Sequence, residues 1–178
     1  MNKLSAYAGL CAVLALLAEP ARADWQYTRW GMTQAELKGT AKSNFSRVSP
    51  DELFPTDTRK GGSRGTALDV AADAILMSGE KIGGIDYQAI YYFRADRLFQ
   101  VALVPLSIDD GNRTERLLEG IYGAPELVEA TGRDVGSRGC IVRKQWRSRQ
   151  DGNLVTFFNK CGSRFEVRYE PIPAKGGL

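Results

Sequence analysis

The sequence predicts an α+β fold in which short helices pack on antiparallel β-sheet, organised as two helix-plus-antiparallel-sheet units and closed by one disulfide. Three observations carry this. Strand-length stretches alternate apolar and polar side chains, most clearly from Ile85 to Phe93 and from Cys140 to Cys161. A pattern recurs: Phe93, a turn and the run Phe99 to Leu106 match Phe158, a turn and the run Phe165 to Ile172, with Pro105 and Pro171 in the same place. Each of these hairpins follows a short stretch of helix signals.

The first residues set the compartment. Lys3 precedes an apolar run from Leu4 to Ala18, which Pro20 ends and the triplet Ala21, Arg22, Ala23 follows. This reads as an export signal cleaved after Ala23, so 1–23 is expected to be removed, leaving 24–178 as a single domain with units at about 24–106 and 107–178. The run is shorter than the roughly 20 apolar residues that a membrane helix needs, so no transmembrane span is expected in the mature chain. Cys11 leaves with the signal. The expected location is periplasmic or secreted, an oxidising setting in which Cys140 and Cys161 pair.

In chain order, Asp24 to Trp30 reads as a short extended segment laying aromatics on a sheet. Thr33 and Glu36 have the spacing of a capping box, which opens a helix limited by Gly39. Residues 42–66 lose periodicity and read as a long surface loop with one short strand inside; its glycines at 61–65 lack the spacing of a phosphate-binding loop. Ala72 to Ser78 is read as a strand. Ile85, Tyr87, Ala89, Tyr91 and Phe93 form one face of a half-buried strand. A turn from Arg94 to Arg97 leads to its partner, Leu98 to Leu106, with Phe99, Val101 and Leu103 on one face. A second helix is expected to start in the cluster Asp109, Asp110, Gly111, Asn112, with Asn112 as cap and Glu115 three residues on. Leu117, Leu118, Ile121 and Tyr122 give its apolar stripe, and Gly123 with Pro125 ends it. Glu126 to Thr131 is a short strand, 132–139 a polar turn.

The Cys140–Cys161 hairpin has two faces. If Asp151 and Gly152 form its turn, Trp146 stands opposite Phe157 and Val142 opposite Cys161, with Cys140 diagonal to Cys161. Cys140, Val142, Trp146, Val155, Phe157 and Cys161 then point to the core. The other face carries Arg143, Gln145, Arg147, Arg149, Thr156 and Lys160, and the next strand adds Arg164 and Arg168 beside Glu166 and Glu170. The basic set Arg143, Arg147, Arg149, Lys160, Arg164 and Arg168 is the candidate binding surface. It suits another exported or envelope protein, an anionic lipid surface or an anionic glycan. Nucleic acid is disfavoured by the address and by aromatics that point mainly to the core. Loss of Lys3, Arg22 and Glu19 with the signal lowers the formal net charge from +3 to 22 − 20 = +2, too mild to predict a polyelectrolyte partner.

Catalytic readings are weak. The chain has no histidine, which removes the usual nucleophile–base pairs and most zinc sites. The acids at 109 and 110 are explained by the positive end of a helix rather than by calcium. Asp69 and Asp73 read as solvated acids. No cofactor, metal or catalytic residue is expected.

Gly31, Met32 and Thr33 followed by Glu36 and Leu37 resemble the helix start of small bacterial envelope proteins of the SmpA/OmlA (outer-membrane assembly lipoprotein) type, and the two-unit layout resembles the β-lactamase-inhibitor-protein fold. The resemblance implies a non-enzymatic protein that scaffolds envelope complexes or inhibits a secreted enzyme through a sheet surface. The chain departs from the lipoproteins in lacking the lipid-bearing cysteine and in placing Gly-x-Pro after its second helix, at Gly123 to Pro125. The expected function is therefore a protein-binding or envelope-assembly module. The alternatives are a proteinaceous inhibitor of a secreted hydrolase and, third, a glycan-acting enzyme that uses carboxylates.

Overall fold

Alternation of apolar and polar side chains makes β-strand the dominant element among the described residues. The computed structural model describes residues 27–40, 44–48, 72–131, 140–161 and 164–173. The readings made for 1–26, for the loop at 49–66 with its glycines, for Asp69 and for the 132–139 turn lie outside these residues. Two α-helices are present among the described residues, α1 (Gln34–Thr40) and α2 (Gly111–Tyr122). The strands are β1 (Ser46–Val48), β2 (Ala74–Ile82), β3 (Ile85–Arg94), β4 (Arg97–Pro105), β5 (Leu127–Thr131), β6 (Ile141–Ser148), β7 (Asn153–Asn159) and β8 (Phe165–Pro171). They form one eight-stranded antiparallel sheet in the order β1-β2-β3-β4-β8-β7-β6-β5.

Local chemistry explains the elements. Thr33 N–H donates to the Glu36 carboxylate at 2.7 Å, while Glu36 N–H donates to Thr33 Oγ1 at 3.1 Å, so the capping box forms in both directions. The same backbone and hydroxyl donors hold the Glu36 carboxyl below its ordinary pKa. Gly83 and Gly84, at φ 57 and 77, turn β2 into β3. Ala95 and Asp96 make the next turn at φ 47 and 55, a region that L side chains rarely adopt. Two carboxylates hold that turn: Asp73 accepts from Ala95 N–H at 2.6 Å, and Asp96 accepts from the Gln34 backbone and side-chain amides.

The strands β1 to β4 meander from one edge to the centre. Helix α2 then carries the chain away, and β5 to β8 meander back from the other edge until β8 pairs with β4. The central pairs are Val101 with Tyr169, Ala102 with Arg168 and Leu103 with Val167. Registers on either side of this seam correspond. Tyr87 stands opposite Pro105 as Asn153 stands opposite Pro171, and Tyr91 opposite Val101 as Phe157 opposite Val167.

Both helices pack on one face of the sheet, where the main core gathers Leu37 and Leu118 with Leu76, Tyr87, Tyr91, Phe93, Val101, Trp146, Val155, Phe157, Val167 and Tyr169. Trp146 anchors α2 twice, by packing in this core and by donating Nε1–H to the Gly123 carbonyl at 2.9 Å. Gly111 touches the ring of Phe165, and a Cβ added there would lie 2.1 Å from ring carbons. Lys144 reaches from β6 to Glu115 and Glu119 of α2, and hydrogen bonds to these two glutamates, Glu115 first, raise its pKa.

Four expectations need correction. Asn112 is not the cap: a 3-10 turn, Ile108–Asp110, runs straight into α2, so Asp110 holds the cap position and its carboxylate pairs with Arg113 at 2.6 Å. Phe99 does not share a face with Val101 and Leu103. A bulge between the pairs Tyr92–Gln100 and Phe93–Leu98 turns Leu98 to the core instead and Phe99 to the opposite face. The strand β3 is not half-buried, because Ile90 and Tyr92 are as buried as their neighbours on the core face. The Cys140–Cys161 hairpin closes through four residues, 149–152, rather than two, so Trp146 stands opposite Val155 and Val142 opposite Asn159.

Candidate protein-binding face of the sheet

A register error of two residues leaves side-chain faces unchanged, because the strand period is two. The hairpin therefore divides as its sequence implies. Trp146, Val155 and Phe157 are buried on the helix side. Continuing the ladder brings Cys140 opposite Cys161, and they form a disulfide with Cα atoms 5.7 Å apart. Arg143, Gln145 and Arg147 of β6, Thr156 and Phe158 of β7, and Glu166, Arg168 and Glu170 of β8 face the side turned away from α1 and α2.

Of the six basic residues read as a surface, Arg143, Arg147 and Arg168 share this face. Arg149 lies exposed in the β6–β7 turn, and Lys160 and Arg164 flank the β7–β8 turn. The face is less basic than the arginine spacing implies, because acids from neighbouring strands are interleaved with it. Arg143 Nη1 donates to Glu129 of β5 at 3.1 Å. Arg168 donates Nε–H to Glu166, which also takes Arg164 at 3.8 Å. The Arg168 guanidinium lies 4.5 Å from the ring centre of Phe158, a cation–π contact that fixes its plane. Gln145 Nε2 donates to Thr156 Oγ1 across the hairpin at 3.1 Å.

Three basic side chains differ from the rest. Arg147 and Arg149 are exposed and make no ion pair with a described residue. Arg143 is held at one end only: its Nη1 has Glu129, but its Nε is buried with no hydrogen-bond partner. An orphaned buried donor costs about 1–3 kcal/mol. The Glu129 contact is half-exposed, and such pairs return only about 0–1 kcal/mol.

The same face changes character across the seam. On β2 to β4 it carries a second apolar cluster, Ile75, Ile90, Tyr92 and Ala102, with Met77, Phe99 and Val104 against it. Burial, and then the nearby Glu166 carboxylate, push the Tyr92 phenol up to about 12. On the helix side a polar group interrupts the core: Glu80 accepts from Tyr27 at 2.6 Å and from Ser78 at 2.8 Å, and Tyr91 lies within 3.5 Å. Burial drives the Tyr91 pKa far upward, so this phenol stays protonated as a donor.

Three clefts between described residues have volumes of about 210 to 260 Å³, below the 300–1,000 Å³ usual for small-molecule sites. One lies between the end of α2 and β6, lined by Ile121, Tyr122, Ala124, Glu126, Trp146, Arg147 and Ser148. Glu126 and Ser148 both line it, and the Ser148 hydroxyl donates to Asp151 at 2.6 Å.

Sequence reasoning missed Glu129 and Lys144 as partners. Glu129 had a readable signal, since β5 and β6 were both legible as strands, but its pairing needed the β5–β6 register. Comparison of the chain with protein-family models, curated proteins and solved structures finds no match.

Proposed function

We propose that this chain is a non-enzymatic exported protein that binds another protein, in the manner of an envelope-assembly module, through the face of β5 to β8 turned away from α1 and α2. The observation that carries the reading is the Arg–Glu network on that face: Arg143 with Glu129, and Arg164 and Arg168 with Glu166. A face of alternating charges around Phe158 and Thr156 favours a partner of matched charge pattern and shape, as protein interfaces have, over a uniform polyanion such as a glycan or lipid surface.

The corresponding registers on the two sides of the β4–β8 seam support a two-unit chain, with α1 and β1 to β4 in one unit and α2 and β5 to β8 in the other. That layout favours a second reading, inhibition of a secreted hydrolase, as the resemblance to the β-lactamase-inhibitor-protein fold implies. The two readings differ in what they capture. Crosslinking in intact cells followed by mass spectrometry should recover a complex with crosslinks confined to β5 to β8. Recovery of the free monomer alone overturns the proposal, and a hydrolase as the partner, with its activity lost in the complex, selects the second reading.

A further inference from the structure

Resting on the protein-binding reading above, we propose that Arg143 and Arg147 form a two-point clamp for an acidic, extended segment of the partner, with Arg143 exchanging Glu129 for a partner carboxylate. The argument begins with what each cation already has. Arg164 and Arg168 are committed to Glu166, and Arg168 is also stacked on Phe158. Arg147 has no ion pair among the described residues, and Arg143 keeps one half-exposed contact and an orphaned Nε.

Arg143 therefore rests in a poor state. Leaving it breaks a pair of little worth and releases a donor that has no acceptor. A partner carboxylate taken in fork geometry gives the guanidinium two parallel hydrogen bonds. Arg143 and Arg147 point to the same side of β6 four residues apart, which sets their Cα atoms about 13 Å apart at the rise of a strand. An extended chain with acids at positions i and i+4 matches that spacing. Between the two arginines lies the half-buried, uncharged Gln145, whose amide is held by the buried Thr156. Arg149, exposed in the adjoining turn, lies beyond the Arg147 end.

The design predicts an unusual sign. Glu129 competes with the partner, so its neutralisation should strengthen binding rather than weaken it. The probe is a synthetic ten-residue Thr/Val peptide with glutamates at positions 3 and 7, titrated into the full mature chain while the arginine Nε–Hε signals are followed by NMR. The same peptide with glutamines, a sulfated oligosaccharide and vesicles of anionic phospholipid form the other arms.

The expected result is a shift of the Arg143 and Arg147 signals by the glutamate peptide alone. Arg147→Glu, an exposed change, should weaken binding about tenfold, and Glu129→Gln should tighten it about two- to fivefold. Arg143→Ala should weaken it too, and Arg147→Glu keeps the test valid if Arg143→Ala disturbs the fold. Absence of binding, equal binding of the glutamine peptide, weaker binding by Glu129→Gln, or a response only to the oligosaccharide or the vesicles each overturns the clamp. Failure of the clamp with β5–β8 crosslinks still recovered from cells would leave the protein-binding reading standing; loss of both would remove it.

Discussion

The two halves of the sheet share a path and differ in one face. On the helix side, β2 to β4 and β6 to β8 both present large apolar residues, Leu76, Tyr91 and Val101 in one and Trp146, Phe157 and Val167 in the other. On the other side, Ile75, Ile90 and Ala102 fill the first half, while Arg143, Thr156 and Arg168 occupy the second. At the seam the contrast is direct: Ala102 stands opposite Arg168. The helix side is constrained in both halves because each must bury a helix. The opposite side meets neither α1 nor α2: its first half buries an apolar cluster while its second carries ion pairs, and a binding function is most economically placed where the two halves diverge.

Substitutions can break or sharpen this comparison. The largest effect is expected on the constrained face: Trp146→Ala should destabilise by about 3–5 kcal/mol, because it empties core volume and orphans the Gly123 carbonyl. Urea unfolding followed by far-UV circular dichroism measures it, and a loss below about 1 kcal/mol would mean that α2 is held elsewhere.

A reciprocal exchange on the opposite face tests the divergence itself. Ile90→Thr puts a hydroxyl into the apolar cluster and should destabilise by about 2 kcal/mol. Thr156→Ile should change stability by less than about 1 kcal/mol, since it loses one hydrogen bond from Gln145 and gains apolar burial. Equal losses from the two changes would show that the halves do not differ as described.

The smallest effect concerns a turn. Ala95 sits at φ 47, so Ala95→Gly should stabilise by about 0.5–1 kcal/mol in thermal unfolding, provided that its amide keeps the Asp73 carboxylate. The glycines already present at 83 and 84 in the preceding turn leave no comparable gain there.

How much of this was legible follows the range of the forces involved. The capping box of Thr33 and Glu36, the β3–β4 hairpin, the stop at Gly123 and the faces of Trp146 and Arg143 are set by residues within one or two turns of each other, and they read correctly from sequence. Asp151 and Gly152 suggested a two-residue turn, but Ser148 Oγ donates to Asp151 at 2.6 Å and Gly152 takes φ 68, so the loop spans four residues. Phe99 misled because a bulge leaves no mark in the alternation before it. The Glu129–Arg143 pair and the Tyr27, Ser78 and Glu80 cluster depend on strand neighbours that local pattern does not specify.

The covalent link between Cys140 and Cys161 also bears on the order in which the molecule assembles. It closes β6 and β7 into a ring whose contacts lie within 21 residues in sequence, so the ring can form early, at a small loop-closure cost. The β4–β8 seam joins distant parts of the chain through Val101, Ala102 and Leu103, and such long-range pairing is slow. The β2–β3 and β3–β4 hairpins of the apolar half are just as local, so both halves can form early and their docking at the seam is the step left for last.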